Sequence, residues 1–208
     1  MLTDKNLSDI ADGKLLVDRD LLLEMIHSML YAIGPTTSLE EVEEFQDQCI
    51  SLAQESWLEL LFDILLYPPT EFNRFEGDGW DAMIWMLLGS AAEKFPQTGL
   101  EVALRYFPGD RERIRAAVIN TLGSTSLSDS FSYVDSYFGQ LSRLTPDEML
   151  RLVVAYSDIG GERCVERLKE IVNSAELEQW EEGIGVIGLI DVECGLSRAA
   201  AKTTGSRD

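Results

Sequence analysis

Not one lysine or arginine lies between Asp20 and Asn73, although eleven carboxylates do: Asp20, Glu24, Glu40, Glu41, Glu43, Glu44, Asp47, Glu55, Glu59, Asp63 and Glu71. A globular surface normally mixes both signs, because like charges repel at short range and unlike ones relieve them. A one-signed stretch therefore argues for a use, most simply attraction of something basic. The shortage runs through the chain, which has 37 acids, 17 bases and a net charge of −20. Residues 1–54 hold 11 acids against 3 bases, 55–109 hold 9 against 3, and 110–208 hold 17 against 11. A second run without a base follows Lys169 as far as Ser197 and carries Glu176, Glu178, Glu181, Glu182, Asp191 and Glu193. Such a balance argues against nucleic acid, whose phosphates need Lys and Arg. It argues equally against an anionic membrane surface. Acidic surfaces also keep proteins dispersed, so charge alone specifies no contact.

Histidine is almost missing too. His27 is the single one, which removes Ser–His and Cys–His nucleophile pairs and three-His zinc sites. Glu24-x-x-His27 has the spacing that puts two ligands of a carboxylate-bridged di-iron bundle on one helical face, but such a site needs the motif twice. A lone His beside Met25, Ile26 and Met29 reads instead as a partly buried, locally bonded residue. The three cysteines, Cys49, Cys164 and Cys194, form no CxxC. Cys49 and Cys164 sit in helical windows, where a thiol acts as a small core residue, and this fits a reducing cytoplasm. No apolar run approaches the ~20 residues of a membrane span; the longest, Trp57–Tyr67, is interrupted by Glu59 and Asp63. The polar start MLTDKNLSDIADGK lacks the basic-then-apolar layout of a signal peptide. A cytoplasmic location is expected.

Strand signals are scarce. Only Gly183–Val192, GIGVIGLIDV, has β-like composition, and it reads as a last helix weakened by glycines, with strand or turn left open. Gly183 to Gly188 matches GxGxxG literally, yet a dinucleotide site needs a preceding strand and a βαβ unit. The text before it is acidic and helical, so no cofactor is expected. No EF-hand loop occurs. With 37 acids, pairs for a carboxylate hydrolase are inevitable and carry almost no information. No catalytic residue and no metal ligand is assigned.

What the chain does have is helix punctuation. Leu21, Leu22, Met25, Ile26, Met29 and Leu30 recur at three- and four-residue steps, so Asp20–Tyr31 is an amphipathic helix stopped by Gly34-Pro35. Ser38-x-x-Glu41 is a capping box before Val42, Phe45, Cys49, Ile50 and Leu52. Ser56-x-x-Glu59 has the same form before Leu60, Leu61, Ile64 and Leu65, and Asp78 can cap the helix of Trp80, Met83, Ile84, Leu87 and Leu88. Thr145-Pro146-Asp147-Glu148 combines a cap, Pro at the first helical position and Glu at the third. Tyr133, Asp135, Tyr137 and Phe138 share a helix and read as core.

One element recurs. An apolar residue followed by Gly closes MLYAIG (Gly34), IWMLLG (Gly89), VINTLG (Gly123) and AYSDIG (Gly160), with the glycines 55, 34 and 37 residues apart. Glycine after a last turn takes the left-handed conformation that ends a helix. All four are therefore expected within two residues of helix C-termini, most with positive φ. Repeats in the mid-thirties with one hairpin each are those of a helical solenoid. Asp110–Gly123, DRERIRAAVINTLG, resembles the first helix of a HEAT repeat, with Arg115, the small pair Ala116-Ala117, and then Leu122-Gly123. The likeness covers about 80–174. It implies an all-α fold of nine or ten helices, antiparallel pairs stacked as a short right-handed HEAT-like solenoid, and protein binding through its faces.

The organisation expected is a polar segment 1–17, one helical-repeat domain 18–194, and a polar, flexible tail 195–208. The partner expected is a basic protein, such as a cationic toxin domain neutralised by a small immunity or inhibitor protein; an adaptor or assembly scaffold of the same fold is the alternative, and a carboxylate hydrolase a distant third. Candidate contacts are Glu40, Glu41, Glu43, Glu44 and Asp47 on one helix, and Phe72, Arg74 and Phe75 in the long loop after Pro68-Pro69. Aromatics and Arg supply contact energy in such loops. Glu178, Glu181 and Glu182 in the second acidic run complete the set. Trp80, at the loop's end, reads as core.

Overall fold

The computed structural model describes residues 4–32, 39–70, 79–173, 195–197 and 199–200. Most of these are helical, with no strand among them. Among the residues described up to 173, ten α-helices follow in order: α1 (Asp4–Ala11), α2 (Arg19–Ala32), α3 (Leu39–Leu52), α4 (Trp57–Leu66), α5 (Gly79–Lys94), α6 (Pro96–Tyr106), α7 (Glu112–Ser124), α8 (Phe131–Phe138), α9 (Pro146–Ile159) and α10 (Glu162–Val172). The chain divides into two compact units, Met1–Val102 and Ala103–Asp208.

In the first unit α5 is the hub, packed by α2, α3 and α4. It buries Trp80, Met83, Ile84, Trp85, Leu87, Leu88, Ala91 and Ala92; a helix apolar on nearly every side belongs in the middle of a core. Trp80 is thus core, as its sequence context implies. Gly89 lies inside α5 instead of ending it. The residues that follow, Ser-Ala-Ala-Glu-Lys, continue a helix readily, and α5 stops only before Pro96, whose ring disfavours helical backbone in the residue preceding it. The Ser56 box also fails. Ser56 is itself right-handed (φ −62°, ψ −20°), and its hydroxyl makes no capping bond. Successive turns already engage the Trp57 N–H with the Gln54 carbonyl and the Leu58 N–H with the Glu55 carbonyl.

Bases from outside the one-signed stretch tie it down. Lys94 Nζ donates to the Ser51 carbonyl (2.7 Å) and the Ala53 carbonyl (2.9 Å), closing the C-terminal end of α3; an ammonium group there meets orphan carbonyls and the negative end of the helix dipole. Arg19 Nε reaches Asp63 Oδ2 (3.2 Å), and its Nη2 the Tyr67 carbonyl (3.0 Å), joining the start of α2 to the end of α4. The strap between α1 and α2 is pinned by one side chain. Gln54 Oε1 accepts from the Val17 N–H (2.9 Å), and Gln54 Nε2 donates to the Leu15 carbonyl (2.7 Å).

In the second unit the direction of each helix follows from its contacts. Arg115, near the start of α7, pairs with Glu148, near the start of α9. Gly123, at the end of α7, lies against Ala155, late in α9. So α7 and α9 run parallel. Arg163 stacks on Phe131 and Arg167 on Phe138, which makes α10 parallel to α8. Tyr137, at the end of α8, donates its hydroxyl to the Pro108 carbonyl just before α7 (2.6 Å); α8 therefore returns antiparallel to α7. Among the described residues of the unit, two hairpins, α7–α8 and α9–α10, lie side by side. The expected capping box at Thr145 is present in both halves, with Pro at the first position. A β-carbon on Gly195 would meet the Ser157 hydroxyl of α9, and Ala199 is buried.

The glycine rule holds in part. Gly160 ends α9 with φ 70° and ψ −171°, a region open only to glycine. Gly123 stands one residue from the end of α7 but is right-handed; the left-handed residue of that turn is Ser126, at φ 52°. Gly123 is small because α9 is there: a β-carbon on it would lie 2.5 Å from Ala155 Cα and 2.6 Å from Ala155 Cβ. Gly34 lies outside the described residues, as do Ser38, Asp78 and the stretch Gly183–Val192.

Candidate functional site

Charge separates along the division of the chain. Met1–Val102 contains 20 carboxylates and five bases, whereas Ala103–Asp208 contains 17 and twelve. Within the first unit Glu44 and Asp47 are exposed on α3, while Cys49 and Leu52 of the same helix are buried. The helix thus turns its apolar stripe inward and carries carboxylates outward. Glu40, Glu41 and Glu43 belong to α3, but their side chains are outside what the structure describes. Phe72, Arg74, Phe75, Glu178, Glu181 and Glu182 also lie outside the described residues.

Two bases that enter the one-signed stretch have defined partners there: Arg19 bonds Asp63, and Lys94 bonds backbone carbonyls. Neither neutralises Glu44 or Asp47. His27 is exposed on α2, because Leu22, Met25 and Ile26 take its buried face; the partly buried position expected for it is corrected. Among the described residues no group of three His, Cys, Asp or Glu comes together to hold a metal.

Burial pushes the Cys49 thiol up to about 12. Only the thiolate is an efficient nucleophile, so Cys49 should resist alkylation at neutral pH by about a hundredfold or more relative to a free thiol. Its labelling should track opening of the first unit. Timed iodoacetamide labelling read by peptide mass spectrometry, with and without denaturant, checks this; rapid labelling without denaturant would refute it.

The second unit uses its charges differently. Asp135 takes a fork from Arg167, with Nε at 2.6 Å from Oδ1 and Nη2 at 3.1 Å from Oδ2, and its Oδ1 also accepts the Tyr156 hydroxyl at 3.1 Å. Burial by itself would raise the Asp135 carboxyl. The bonds from Arg167 and Tyr156, with the charges of Arg167 and Arg163, outweigh burial and hold it below the usual value. A depressed folded value means the stability from this group is complete above the unfolded carboxylate value of about 3.9 and is lost as pH falls through the folded value. Asp135→Asn should therefore lower stability at pH 7 and flatten the acid limb below about pH 4. Unfolding followed against pH reads both; an acid limb as steep as the wild type's would refute the assignment. Tyr137 is buried, and Phe107 packs edge-on against Tyr133 and Tyr137 with ring centres 5.6 and 5.7 Å away. The core reading of that helix holds for Tyr137.

Two features were missed from sequence. Leu16 and Tyr67 are large apolar residues 80% and 69% exposed. Tyr67 had a signal, since it ends an apolar run directly before Pro68-Pro69; Leu16, inside the Leu-Leu-Val run, had none. No helix among the described residues is long and apolar enough to cross a membrane. Comparison with protein-family models, curated proteins and solved structures finds no match.

Proposed function

We propose that this chain is a non-catalytic acidic helical protein whose first unit binds a basic protein partner, in the manner of an immunity or inhibitor protein that neutralises a cationic toxin such as a nuclease. The supporting observation is the excess of carboxylates over bases in one compact unit: 20 acids against five bases, with Glu44 and Asp47 exposed and Arg19 and Lys94 already engaged. Proteins that act on nucleic acid carry basic faces. An acidic inhibitor gains steered association and covers the same face. The chain's hairpins form a short HEAT-like solenoid. The support for this is the parallel packing of alternate helices, α7 with α9 and α8 with α10, which is the way stacked hairpins build a solenoid.

The test is stopped-flow association with a purified cationic nuclease domain. The rate should fall about tenfold or more as the Debye length shortens from ~30 Å at 0.01 M to ~10 Å at 0.1 M salt. Glu40→Lys, Glu44→Lys and Asp47→Lys together should slow it further while leaving the fold intact. Loss of nuclease activity on binding separates inhibitor from scaffold. A rate indifferent to salt and to charge reversal would leave the acidic surface as a solubility device.

A further inference from the structure

The exposed apolar pair Leu16 and Tyr67 sits in a part of the first unit that is held in place by specific bonds. Leu16 lies between Leu15 and Val17, whose backbone groups are both bonded to Gln54. That arrangement fixes the strap while turning Leu16 outward. Tyr67 donates its N–H to the Asp63 carbonyl at 2.9 Å and accepts from Arg19 Nη2 at 3.0 Å. Pro68 follows it and restricts the backbone beyond. Arg19 is three residues from Leu16 and bonded to Tyr67. A three-residue extended segment of about 10 Å plus one arginine side chain therefore bounds their separation, well within the footprint of an interface burying about 800 Å² per partner. A backbone already held in place loses little freedom on binding, so the ordering cost is confined to the two side chains.

The charged groups around the pair decide what can cover it. Asp12 is paired with Lys14, and Asp63 with Arg19. Asp18 caps α2 by accepting from the Leu21 N–H at 2.9 Å, and Asp20 adds a further carboxylate in the first turn of α2. Among the described residues both bases are thus matched by carboxylates, and Asp18 and Asp20 leave these surroundings net negative. A second copy of this chain would bring the same 20-to-five unit against itself, which like-charge repulsion opposes. An anionic lipid surface is opposed in the same way.

We propose that Leu16 and Tyr67 are the apolar anchors of the docking surface, and that they receive a cationic segment of the partner protein carrying its own large apolar residue. This rests on the reading of the first unit as a surface for basic protein. Carboxylates would set the approach and these two side chains the lifetime of the complex, since charge acts mainly on association and buried apolar anchors on dissociation.

The probes are two short synthetic arginine peptides of equal charge, one with a central Trp-Leu pair and one with Ser-Ser in its place. Binding is followed by NMR shifts of the Leu16 methyls and Tyr67 ring, and by titration. The Trp-Leu peptide should bind about tenfold or more tightly than the Ser-Ser peptide and shift both side chains. Leu16→Ser with Tyr67→Ser, whose side chains are exposed, should abolish that difference and leave Ser-Ser binding unchanged. Equal binding of the two peptides, or shifts confined to α3, would overturn the anchors while the acidic-surface reading stands. No binding of either peptide would overturn both. Self-association of the chain, removed by the double substitution, would also overturn the proposal in favour of a second copy.

Discussion

Replacing Glu148 by alanine should destabilise the second unit by about 3 kcal/mol. The side chain is fully buried, yet each oxygen has a separate duty. Oε1 accepts from Arg115 Nε at 2.7 Å, and Oε2 accepts from the Thr145 N–H at 2.8 Å, while the Glu148 N–H donates to Thr145 Oγ1. Alanine therefore removes half of a capping box and leaves the Arg115 guanidinium, about a quarter exposed, without its carboxylate. Breaking a buried pair costs about 3–5 kcal/mol; the lower end applies here because water reaches part of Arg115. Glutamine separates the two duties, since its single oxygen can serve Thr145 or Arg115 but not both. Glu148→Gln should accordingly cost about 1–2 kcal/mol. Segment-resolved hydrogen exchange over α7 and α9 is the suitable measurement, because it isolates the second unit from the first. Unchanged exchange in α9 for Glu148→Ala would show that the pair and cap contribute nothing.

Gly123→Ala should also destabilise the second unit, by about 2 kcal/mol, and Gly123→Val by more. The sign is the informative part. Gly123 is helical and right-handed, so on a free surface alanine would gain up to about 1 kcal/mol of helix propensity. Here the new methyl would meet the Ala155 backbone at 2.5 Å, and backbone cannot rotate aside. α7 and α9, the principal helix pair of that unit, would have to separate, and close-packed interiors resist this. Gly139→Ala is the control, because the nearest atom to a β-carbon there is 4.0 Å away; it should be neutral or slightly stabilising. Thermal unfolding of the two variants side by side decides the matter. A stabilised Gly123→Ala would mean the helices are not in close approach.

The helical class, the spans of α2, α4 and α9, the presence of α5 though not its end, and the cap at Thr145 were legible in sequence, because they depend on local spacing and local hydrogen bonding. Apolar residues at three- and four-residue steps find the same face whatever lies opposite, and the two capping bonds between Thr145 and Glu148 close within a single turn. The crowding of carboxylates was equally plain, since charge is a sum over residues. What the glycines do was decided by tertiary structure. Gly89 continues a helix, Gly123 admits a neighbouring backbone, and only Gly160 turns left-handed, though all three follow the same kind of apolar residue. Long-range partners decided the rest. Lys94, about forty residues from α3, closes that helix; Arg115 finds Glu148 thirty-three residues on; Gln54 reaches back to fix the strap that leaves Leu16 in solvent. Sequence patterns report a residue's own helix face, while such contacts depend on which helices lie side by side, and only packing in three dimensions determines that.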